Sequence, residues 1–403
     1  MSRQYEELKA ENLKKLINTN RLADCFLDLI KINSISLNEY NLCQAIKQIM
    51  KDLGAEVIVD KAGQKIRGNS GNLIVRFKGT ISAPALMISA HMDTVQPGEN
   101  INPKFSDGLF KSDGTTILGG DDKSGIAIII ECMRIIIDNQ IPHGPIELLF
   151  TVGEEFGLLG AKNFQYEYIT APYGYVLDSK DTDTIITHTP SAIKFVATII
   201  GKDAHAGMEP EKGVNSILIA AKAISDLPVG RIDHETTMNV GLIQGGVATN
   251  IVPKKVSVQG EARSHDEKKL LDLKLKIISS FMNAVKSCKT IRDDETGEIL
   301  PDLEMQMEDD FQATKISDDH PVVKIAIQAG KRLGRTITSS HSGVASDANI
   351  FFQKGINTVV LGTGMTAIHT VNESIHIDEM KKTVELLLMI IQEHIVFQKN
   401  QAL

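Results

Sequence analysis

Five apolar stretches of the chain, each typical of a buried strand, lead into a histidine or a carboxylate. The five polar residues, in chain order, are His91, Asp121, Glu155, Asp178 and His369. In an open α/β sheet, ligands bind at the edge where the carboxyl ends of the strands meet. Two histidines and three carboxylates at that edge are a suitable ligand set for a pair of zinc ions. The pattern therefore predicts an α/β fold with a two-metal site at one edge of its sheet.

Chain length and a change in strand pattern predict the domain organisation. A chain of 403 residues exceeds one ordinary core and indicates two domains. Helices and buried strands alternate over residues 1–189 and again over 313–403. Residues 190–312 instead contain half-exposed strands and two helices in the order βαββαβ, which is typical of a ferredoxin-like α+β unit. We therefore predict one α/β domain, formed by 1–189 and 313–403, with the 190–312 unit inserted in it.

Composition argues against several other classes of protein. The net charge is −8 and no basic run is present, so a nucleic-acid partner is not expected. The chain start is charged and lacks the apolar core of a secretory signal. The longest apolar segment, 126–137, is broken by Glu131 and Arg134 and is too short to cross a bilayer. We therefore expect a cytoplasmic protein without a membrane partner.

The first two candidate ligands each have a neighbouring acid with a suitable supporting role. Asp93 follows His91 by two residues, so its carboxylate can accept the second ring N–H of the histidine and fix the tautomer. Asp121 and Asp122 open a long apolar helix after a glycine-rich loop. One acid could bridge two metals while the other serves the helix N-terminus. The alternatives are a surface His–Asp pair in a turn and simple helix capping.

Glu154 and Glu155 are adjacent carboxylates after a buried strand, where they repel one another unless cations gather them. Gly153 and Gly157 leave the backbone free to aim both at one point. One glutamate can then bind metal while the other carries protons. The alternative is a solvated acidic turn, and each of the five segments alone has such an ordinary explanation.

Six segments of the chain together resemble a known enzyme family. The segments are HMDTV, LGGDDKSG, GEEFGLLGAK, VLDS, AHAGMEPEKGVNS and IHTVNE. The chain resembles the two-zinc metallopeptidases that include peptidase T, carboxypeptidase G-type enzymes, aminoacylases and acetylornithine deacetylase. GGDDKSGIA and GEEFG are most similar to the peptidase T-like branch. The resemblance implies a mixed-sheet zinc-peptidase catalytic domain with an inserted ferredoxin-like lid and dimerisation domain.

The resemblance also implies a ligand set for two zinc ions per subunit. His91 and Asp178 match the ligands of one zinc. Glu155 and His369 match the ligands of the other, and Asp121 matches the bridge between them. Nitrogen and oxygen ligands also accept cobalt or manganese, so the metal is open at this point.

Five further residues match catalytic or substrate-binding positions of the family. Glu154 resembles the general base, and Asp93 resembles the carboxylate that orients the first histidine ligand. In the insertion, His205 matches the histidine that reaches the scissile carbonyl, often from a neighbouring subunit. Arg263 matches an arginine that grips a substrate carboxylate, and Asn250 matches a substrate-contacting asparagine. Without the resemblance, these last three would be interpreted as turn, cap or strand-end residues.

Hydrolysis of small peptides is the predicted function, with a tripeptide aminopeptidase as the first choice and a homodimer through the insertion. Water activated between the metals would attack the peptide carbonyl with Glu154 as general base. An N-acyl-amino-acid deacylase or a carboxypeptidase of the same family is the alternative. A two-metal phosphoesterase would need more positive charge near the site. A non-catalytic metal- or partner-binding protein is the alternative of another class.

Overall fold

Two compact units make up the computed structural model, which describes residues 10–292 and 297–401. The first unit is formed by Met1–His188 together with Thr314–Leu403, and the second by Thr189–Ala313. Residues 1–9 lie outside the described residues. They include part of the charged start from which no secretory signal is predicted. In the described part of the chain, no helix has both the length and the apolar character that a membrane span requires.

The helices and strands of the described chain have the following bounds. The helices are α1 (Ala10–Leu16), α2 (Thr19–Ile30), α3 (Tyr40–Asp52), α4 (Ala62–Ile66), α5 (Gly120–Asp138), α6 (Leu159–Asn163), α7 (Ser216–Ser225), α8 (Glu267–Lys286), α9 (Pro321–Arg332), α10 (Asp347–Gln353) and α11 (Ile377–Gln401). The strands are β1 (Glu56–Val59), β2 (Leu73–Phe77), β3 (Leu86–His91), β4 (Lys104–Ser106), β5 (Leu109–Lys111), β6 (Ile146–Thr151), β7 (Tyr173–Ser179), β8 (Thr184–Thr189), β9 (Ser191–Ile200), β10 (Gly230–Arg231), β11 (Thr236–Gly245), β12 (Lys255–Ser264), β13 (Ile291–Arg292), β14 (Ile299–Leu300), β15 (Asp302–Phe311), β16 (Thr314–Lys315), β17 (Thr338–His341), β18 (Asn357–Gly362) and β19 (Ser374–His376).

A mixed sheet is the centre of the first unit. Its strand order is β1-β2-β6-β3-β7-β18-β8-β16, and β17 pairs with β8. The four central strands β6, β3, β7 and β18 are parallel to one another, whereas β2 and β8 flank them antiparallel. The central strands are buried almost throughout, as expected for parallel strands covered on both faces. Their carboxyl ends therefore meet at one edge, and the predicted α/β class with a mixed sheet is confirmed.

Helix α5 is buried along nearly its whole length because it packs on β3 and β7 beneath α2 and α11. Glu131, which interrupts its apolar sequence, is fully buried and is bonded to Arg21 of α2. The arginine Nε lies 2.7 Å from Oε2 and Nη2 lies 3.0 Å from Oε1 of the glutamate. A paired, bidentate charge of this kind is how a carboxylate is tolerated inside an apolar core.

The second unit is an antiparallel sheet with two helices. The strand order is β10-β11-β12-β9-β15, and α7 and α8 pack against the sheet. Its own core includes Phe195 of β9 and Phe281 of α8, whose ring centroids lie 6.1 Å apart. The predicted inserted α+β unit of two helices on four long strands is confirmed, with the short β10 added at one edge.

Candidate metal centre

Strand ends and the loops that follow them bring the predicted ligands of the first unit together. His91 is the last residue of β3 and lies opposite Thr151, the last residue of β6. Asp178 lies near the end of β7, the neighbour of β3 on its other side. The acidic pair follows β6, where Gly153 adopts a positive φ of 59° that favours glycine. The parallel order of the strands therefore places these side chains at one edge of the sheet.

Asp121 lies between the two predicted histidine ligands. Its Oδ1 is 3.0 Å from His91 Nε2, and its Oδ2 is 3.1 Å from His369 Nε2. His369 Nε2 also lies 2.7 Å from Oε1 of Glu155. Although Asp121 belongs to the first turn of α5, its φ and ψ of −82° and 103° are not helical, which turns it away from the helix. Asp122 instead serves the helix, since its Oδ1 accepts the Gly125 N–H at 3.2 Å.

Two overlapping groups of side chains have the spacing needed to hold a metal ion. One consists of His91, Asp121 and Asp178, and the other of Asp121, Glu155 and His369; in each, the potential ligand atoms lie within 4.8 Å of one another. Asp121 is common to both, as a bridging ligand would be. A third group, His91 with Glu154 and Glu155, overlaps them. Imidazole nitrogens and carboxylate oxygens suit zinc and related divalent ions, so the residues present fit a two-metal centre.

The electrostatics of this cluster favour a cation. Burial raises the pKa of Glu154 well above its ordinary value, and repulsion from Asp178 adds to the rise. Burial and repulsion from Asp121 likewise raise the pKa of Asp178. Hydrogen bonds to Asp121 and Glu155 raise the pKa of His369 to about 10. The acids repel one another and raise the pKa of the histidine, so the cluster has a buried excess of carboxylates whose charge divalent ions would offset.

Asp93 holds both the histidine and the acidic loop. His91 Nδ1 donates to the main-chain oxygen of Asp93 at 2.9 Å and lies 3.5 Å from its Oδ1. This fixes the proton on Nδ1 and leaves Nε2 as a ligand atom. The Asp93 carboxylate accepts the N–H groups of Glu154 at 2.9 Å and Glu155 at 3.1 Å. The carboxylate therefore positions the acidic pair, and the main-chain oxygen is the nearer acceptor for the ring.

Ser36 and Glu39 support this arrangement, and the sequence gives no direct sign of them. The Ser36 hydroxyl donates to Asp93 Oδ2 at 2.7 Å. Glu39 is fully buried, and its Oε1 accepts the Gly153 N–H at 3.0 Å. Both lie after α2, far along the chain from the residues they bond. In the sequence, their polar character between two amphipathic helices is the only signal that could have indicated them.

Asp347 is another buried acid, and the sequence motifs indicate no role for it. It is the first residue of α10, and its Oδ2 accepts the Thr151 hydroxyl at the end of β6. Among the described residues, its Oδ1 has no hydrogen-bond partner. Its charge contributes to the raised pKa of Glu154. The acid therefore belongs to the electrostatic surroundings of the predicted base.

The three predicted residues of the insertion lie in the second unit. His205 is exposed, and its Nδ1 accepts the Gly207 N–H at 3.2 Å. The main-chain oxygen of Asn250 accepts the Ala206 N–H at 2.9 Å, so the His205 and Asn250 segments are bonded to each other. The Arg263 guanidinium forms a two-pronged pair with Glu261, with Nε–Oε1 at 3.0 Å and Nη2–Oε2 at 3.1 Å.

A further group of potential ligands lies on the second unit: Asp233, His234 and Glu235, called the surface cluster below. The Lys269 ammonium donates to Asp233 at 2.8 Å and to Glu235 at 2.6 Å. The hydrogen bond from Lys269 lowers the pKa of Asp233. A cation from the chain itself is already paired with both acids of this group, so the group carries no metal assignment.

Known proteins similar to this chain include peptidases. A model of Peptidase family M20/M25/M40 matches residues 87–393. The uncharacterized protein YqjE of Bacillus subtilis strain 168 is 41% identical over 380 residues, covering 94% of this chain and 99% of its own length. The aminopeptidase PepT of Bacillus cereus is 40% identical with a TM-score of 0.83, covering 94% of this chain and 100% of that one. A tripeptidase of Staphylococcus aureus is 38% identical with a TM-score of 0.85, covering 94% and 98%.

Proposed function

The chain belongs to peptidase family M20/M25/M40, and from that membership we propose that it is an aminopeptidase that releases the N-terminal residue of tripeptides. Its similarity to an aminopeptidase and to a tripeptidase, each aligned over 94% of the chain, supports the substrate class. The observation that carries the chemistry is the pair of ligand groups that share Asp121, with Glu154 beside them.

We propose two zinc ions as the cofactors, with cobalt or manganese as substitutes that the same ligands accept. His91 and Asp178 would hold one ion, Glu155 and His369 the other, and Asp121 would contact both. Two bound divalent ions lower the pKa of water and polarise the substrate carbonyl. The main-chain oxygen of Asp93 keeps the His91 proton on Nδ1, so that Nε2 is available for coordination.

Glu154 is proposed as the general base. Its carboxylate is buried next to the ligand cluster, and its N–H is fixed by Asp93 at 2.9 Å. In this role it takes a proton from the attacking water and returns it to the leaving amine nitrogen. Its raised pKa suits a group that must both accept and give up a proton. Asp93 supports the role by holding the loop on which Glu154 lies.

The second unit is proposed to recognise the substrate. His205 is exposed and offers its ring to the oxygen of the scissile carbonyl, with Asn250 contacting the substrate nearby. Arg263 is proposed to bind the free carboxylate of a short peptide through two parallel hydrogen bonds. Glu261 occupies that fork in this structure, so a substrate carboxylate would exchange with it.

A homodimer through the second unit is also proposed. Strand β10 covers only Thr237 and Met238 of the outer edge of β11, and no other described strand pairs with that edge. Leu242, Ile243 and Val247, at the uncovered end, are 54%, 53% and 86% exposed. An unpaired strand edge with apolar side chains favours pairing with a second chain. A cytoplasmic location and the absence of nucleic-acid and membrane partners stay predictions from sequence.

Sedimentation velocity tests the dimer. The wild type should sediment as a dimer, and Ile243→Lys should sediment as a monomer because a charge at the strand edge disfavours pairing. Leu271→Lys, which alters an equally exposed residue of α8 at 55%, is the matched control. A monomeric wild type at micromolar concentration argues against the dimer.

A substrate panel on protein of measured metal content tests the activity. Tripeptides, dipeptides, N-acetyl amino acids and peptides with a C-terminal glutamate are compared with and without a chelator. We expect the tripeptides to be cleaved fastest, at the first peptide bond, and the chelator to abolish cleavage. Preferred release of an acyl group or of the C-terminal residue would instead identify a deacylase or a carboxypeptidase. Metal-loaded protein that is inert toward every amide would favour a binding protein.

A further inference from the structure

Glu373 is a buried carboxylate of the IHTVNE segment to which no role has been assigned so far. It lies four residues after His369 and directly before β19, and it is 1% exposed. It belongs to none of the ligand groups found among the described residues. Burying a carboxylate is costly unless its oxygens are bonded, so its partners indicate what it does.

The Glu373 carboxylate accepts three main-chain N–H groups from the loop that leads to Asp121. Its Oε2 accepts from Leu118 and from Gly119, both at 2.8 Å. Its Oε1 accepts from Asp121 itself at 3.0 Å. Successive N–H groups that converge in this way form a concave anion site. Here the anion is a side chain that lies more than 250 residues further along the sequence.

Asp122 caps the regular part of the helix through the Gly125 N–H, so the Glu373 carboxylate serves the loop that precedes it. Gly119 precedes α5 with a left-handed φ of 75° and provides no side-chain acceptor for the first N–H groups of the helix. A Cβ added at Gly120 would lie 3.0 Å from Glu373 Oε1, so the loop approaches the carboxylate closely. An N-cap side chain normally satisfies such groups. In the loop Glu373 provides the acceptor instead, and by bonding the Asp121 N–H it holds Asp121 in its non-helical conformation.

One short segment, residues 366–374, contacts Asp121 on two sides. His369 Nε2 contacts its carboxylate at 3.1 Å, and Glu373 accepts its N–H at 3.0 Å. The ends of the segment are tied together, since Thr366 and Ser374 exchange main-chain hydrogen bonds of 2.9 and 3.1 Å. The segment that supplies one ligand therefore also fixes the backbone of the residue between both histidines.

We propose that Glu373 is a positioning residue for the metal bridge: its carboxylate holds the 118–121 loop so that both oxygens of Asp121 face the ligand cluster. The inference rests on the two-metal part of the proposed function and is independent of the substrate. Partners that orient a metal ligand typically contribute 10- to 100-fold in metal affinity. We expect Glu373→Gln to weaken the binding of at least one metal by about that factor.

Titration calorimetry with Zn²⁺ and absorption spectroscopy with Co²⁺ test the proposal without any activity assay. Glu147→Gln is the matched control, because Glu147 is also buried and accepts the N–H groups of Thr170 at 2.8 Å and Ala171 at 3.0 Å. It lies near the start of β6, at the opposite end from Glu154. Both variants should lose thermal stability, but only Glu373→Gln should bind metal more weakly and change the Co²⁺ spectrum.

Glu373→Asp separates position from charge and replaces the glutamine variant if that one does not fold. It keeps the negative charge but is one methylene shorter, so it cannot reach all three N–H groups. A positioning role predicts weaker metal binding in Glu373→Asp as well. Wild-type affinity in Glu373→Asp, or equal losses in Glu373→Gln and Glu147→Gln, would overturn it. A wild type that fails to bind two metals would instead contradict the proposed function.

Discussion

Two regions of the described chain contain histidine and acid side chains with the spacing of a metal site, yet their surroundings are opposite. In the first unit, burial and mutual repulsion raise the pKa values of Glu154 and Asp178. In the surface cluster, the Lys269 ammonium lowers the pKa of Asp233. The difference teaches that ligand spacing alone does not define a metal centre. A buried excess of carboxylates, whose mutual repulsion raises their pKa values, is the more specific sign.

The two clusters also differ in which parts of the chain supply their side chains. The surface cluster consists of three successive residues in a turn before β11. The candidate metal centre draws on the ends of β3 and β7, the loop after β6, the start of α5 and the segment after β18. Additional buried groups such as Asp93 and Glu373 hold the backbone of two of these ligands, Glu155 and Asp121. Such support has a function only if the side chains must keep a defined arrangement.

Glu154→Gln gives the largest effect expected from this comparison. Loss of a general base typically costs about 10²- to 10⁴-fold in turnover. The glutamine is isosteric and Glu154 is not in the proposed ligand set, so two metals should still bind. Turnover of a tripeptide and metal content by mass spectrometry are measured together. Glu235→Gln in the surface cluster should leave turnover unchanged, and near-normal turnover of Glu154→Gln would eliminate it as the base.

Metal removal should destabilise the protein through the first unit alone. Free metal at 100 times the Kd stabilises a folded protein by about 2.7 kcal/mol per site. We expect a chelator to lower the Tm of the wild type, and Asp121→Asn to remove most of this metal dependence because Asp121 belongs to both ligand groups. His234→Ala should retain the full dependence. If His234→Ala loses it instead, the distinction between the two clusters is wrong.

The membership in the peptidase family and the meeting of the five predicted side chains at one edge could be predicted from sequence. Parallel strands place their carboxyl ends at the same edge, so residues after buried apolar runs, such as His91 and Asp178, must come close together. The family, the mixed α/β fold and the inserted α+β unit are confirmed. The roles of the individual site residues stay predictions that the proposed variants test.

The groups that support the site could not be predicted, because they act on backbone N–H groups across long sequence distances. Ser36 reaches Asp93, and Glu373 reaches the loop before Asp121, in pairings that no spacing rule encodes. No sequence pattern indicates that the main-chain oxygen of Asp93 lies nearer to the His91 ring than its carboxylate does. Such contacts depend on the exact path of loops, which tertiary packing decides.

Arg263 tests whether an ion pair within the protein excludes a role in substrate binding. It is bonded to Glu261 much as Lys269 is bonded to its acids, yet it is proposed to bind a substrate carboxylate. Hydrogen bonds to charged groups contribute enough for Arg263→Ala to raise the KM of free tripeptides roughly 10- to 100-fold. Tripeptide amides, which lack the carboxylate, should be unaffected, and Arg263→Lys should lie between because it loses the fork. Equal losses for free and amidated peptides would make the arginine structural.

Lys269→Met gives the smallest expected effect and tests the surface cluster directly. The folded-state pKa of Asp233 lies below its unfolded value, so the pair stabilises the fold above that unfolded value, which is about 3.9 for an aspartate. This stability is lost as the pH falls through the acidic range below it. Lys269→Met should therefore lower the Tm slightly at pH 7, and the difference from the wild type should shrink toward pH 3. Lys268→Met, an exposed neighbour on α8, is the control for the lost charge. A Tm difference that persists unchanged at pH 3 would mean that Lys269 stabilises the unit by packing of its methylene chain. The surface cluster would then not be an ion-paired counterpart of the metal centre.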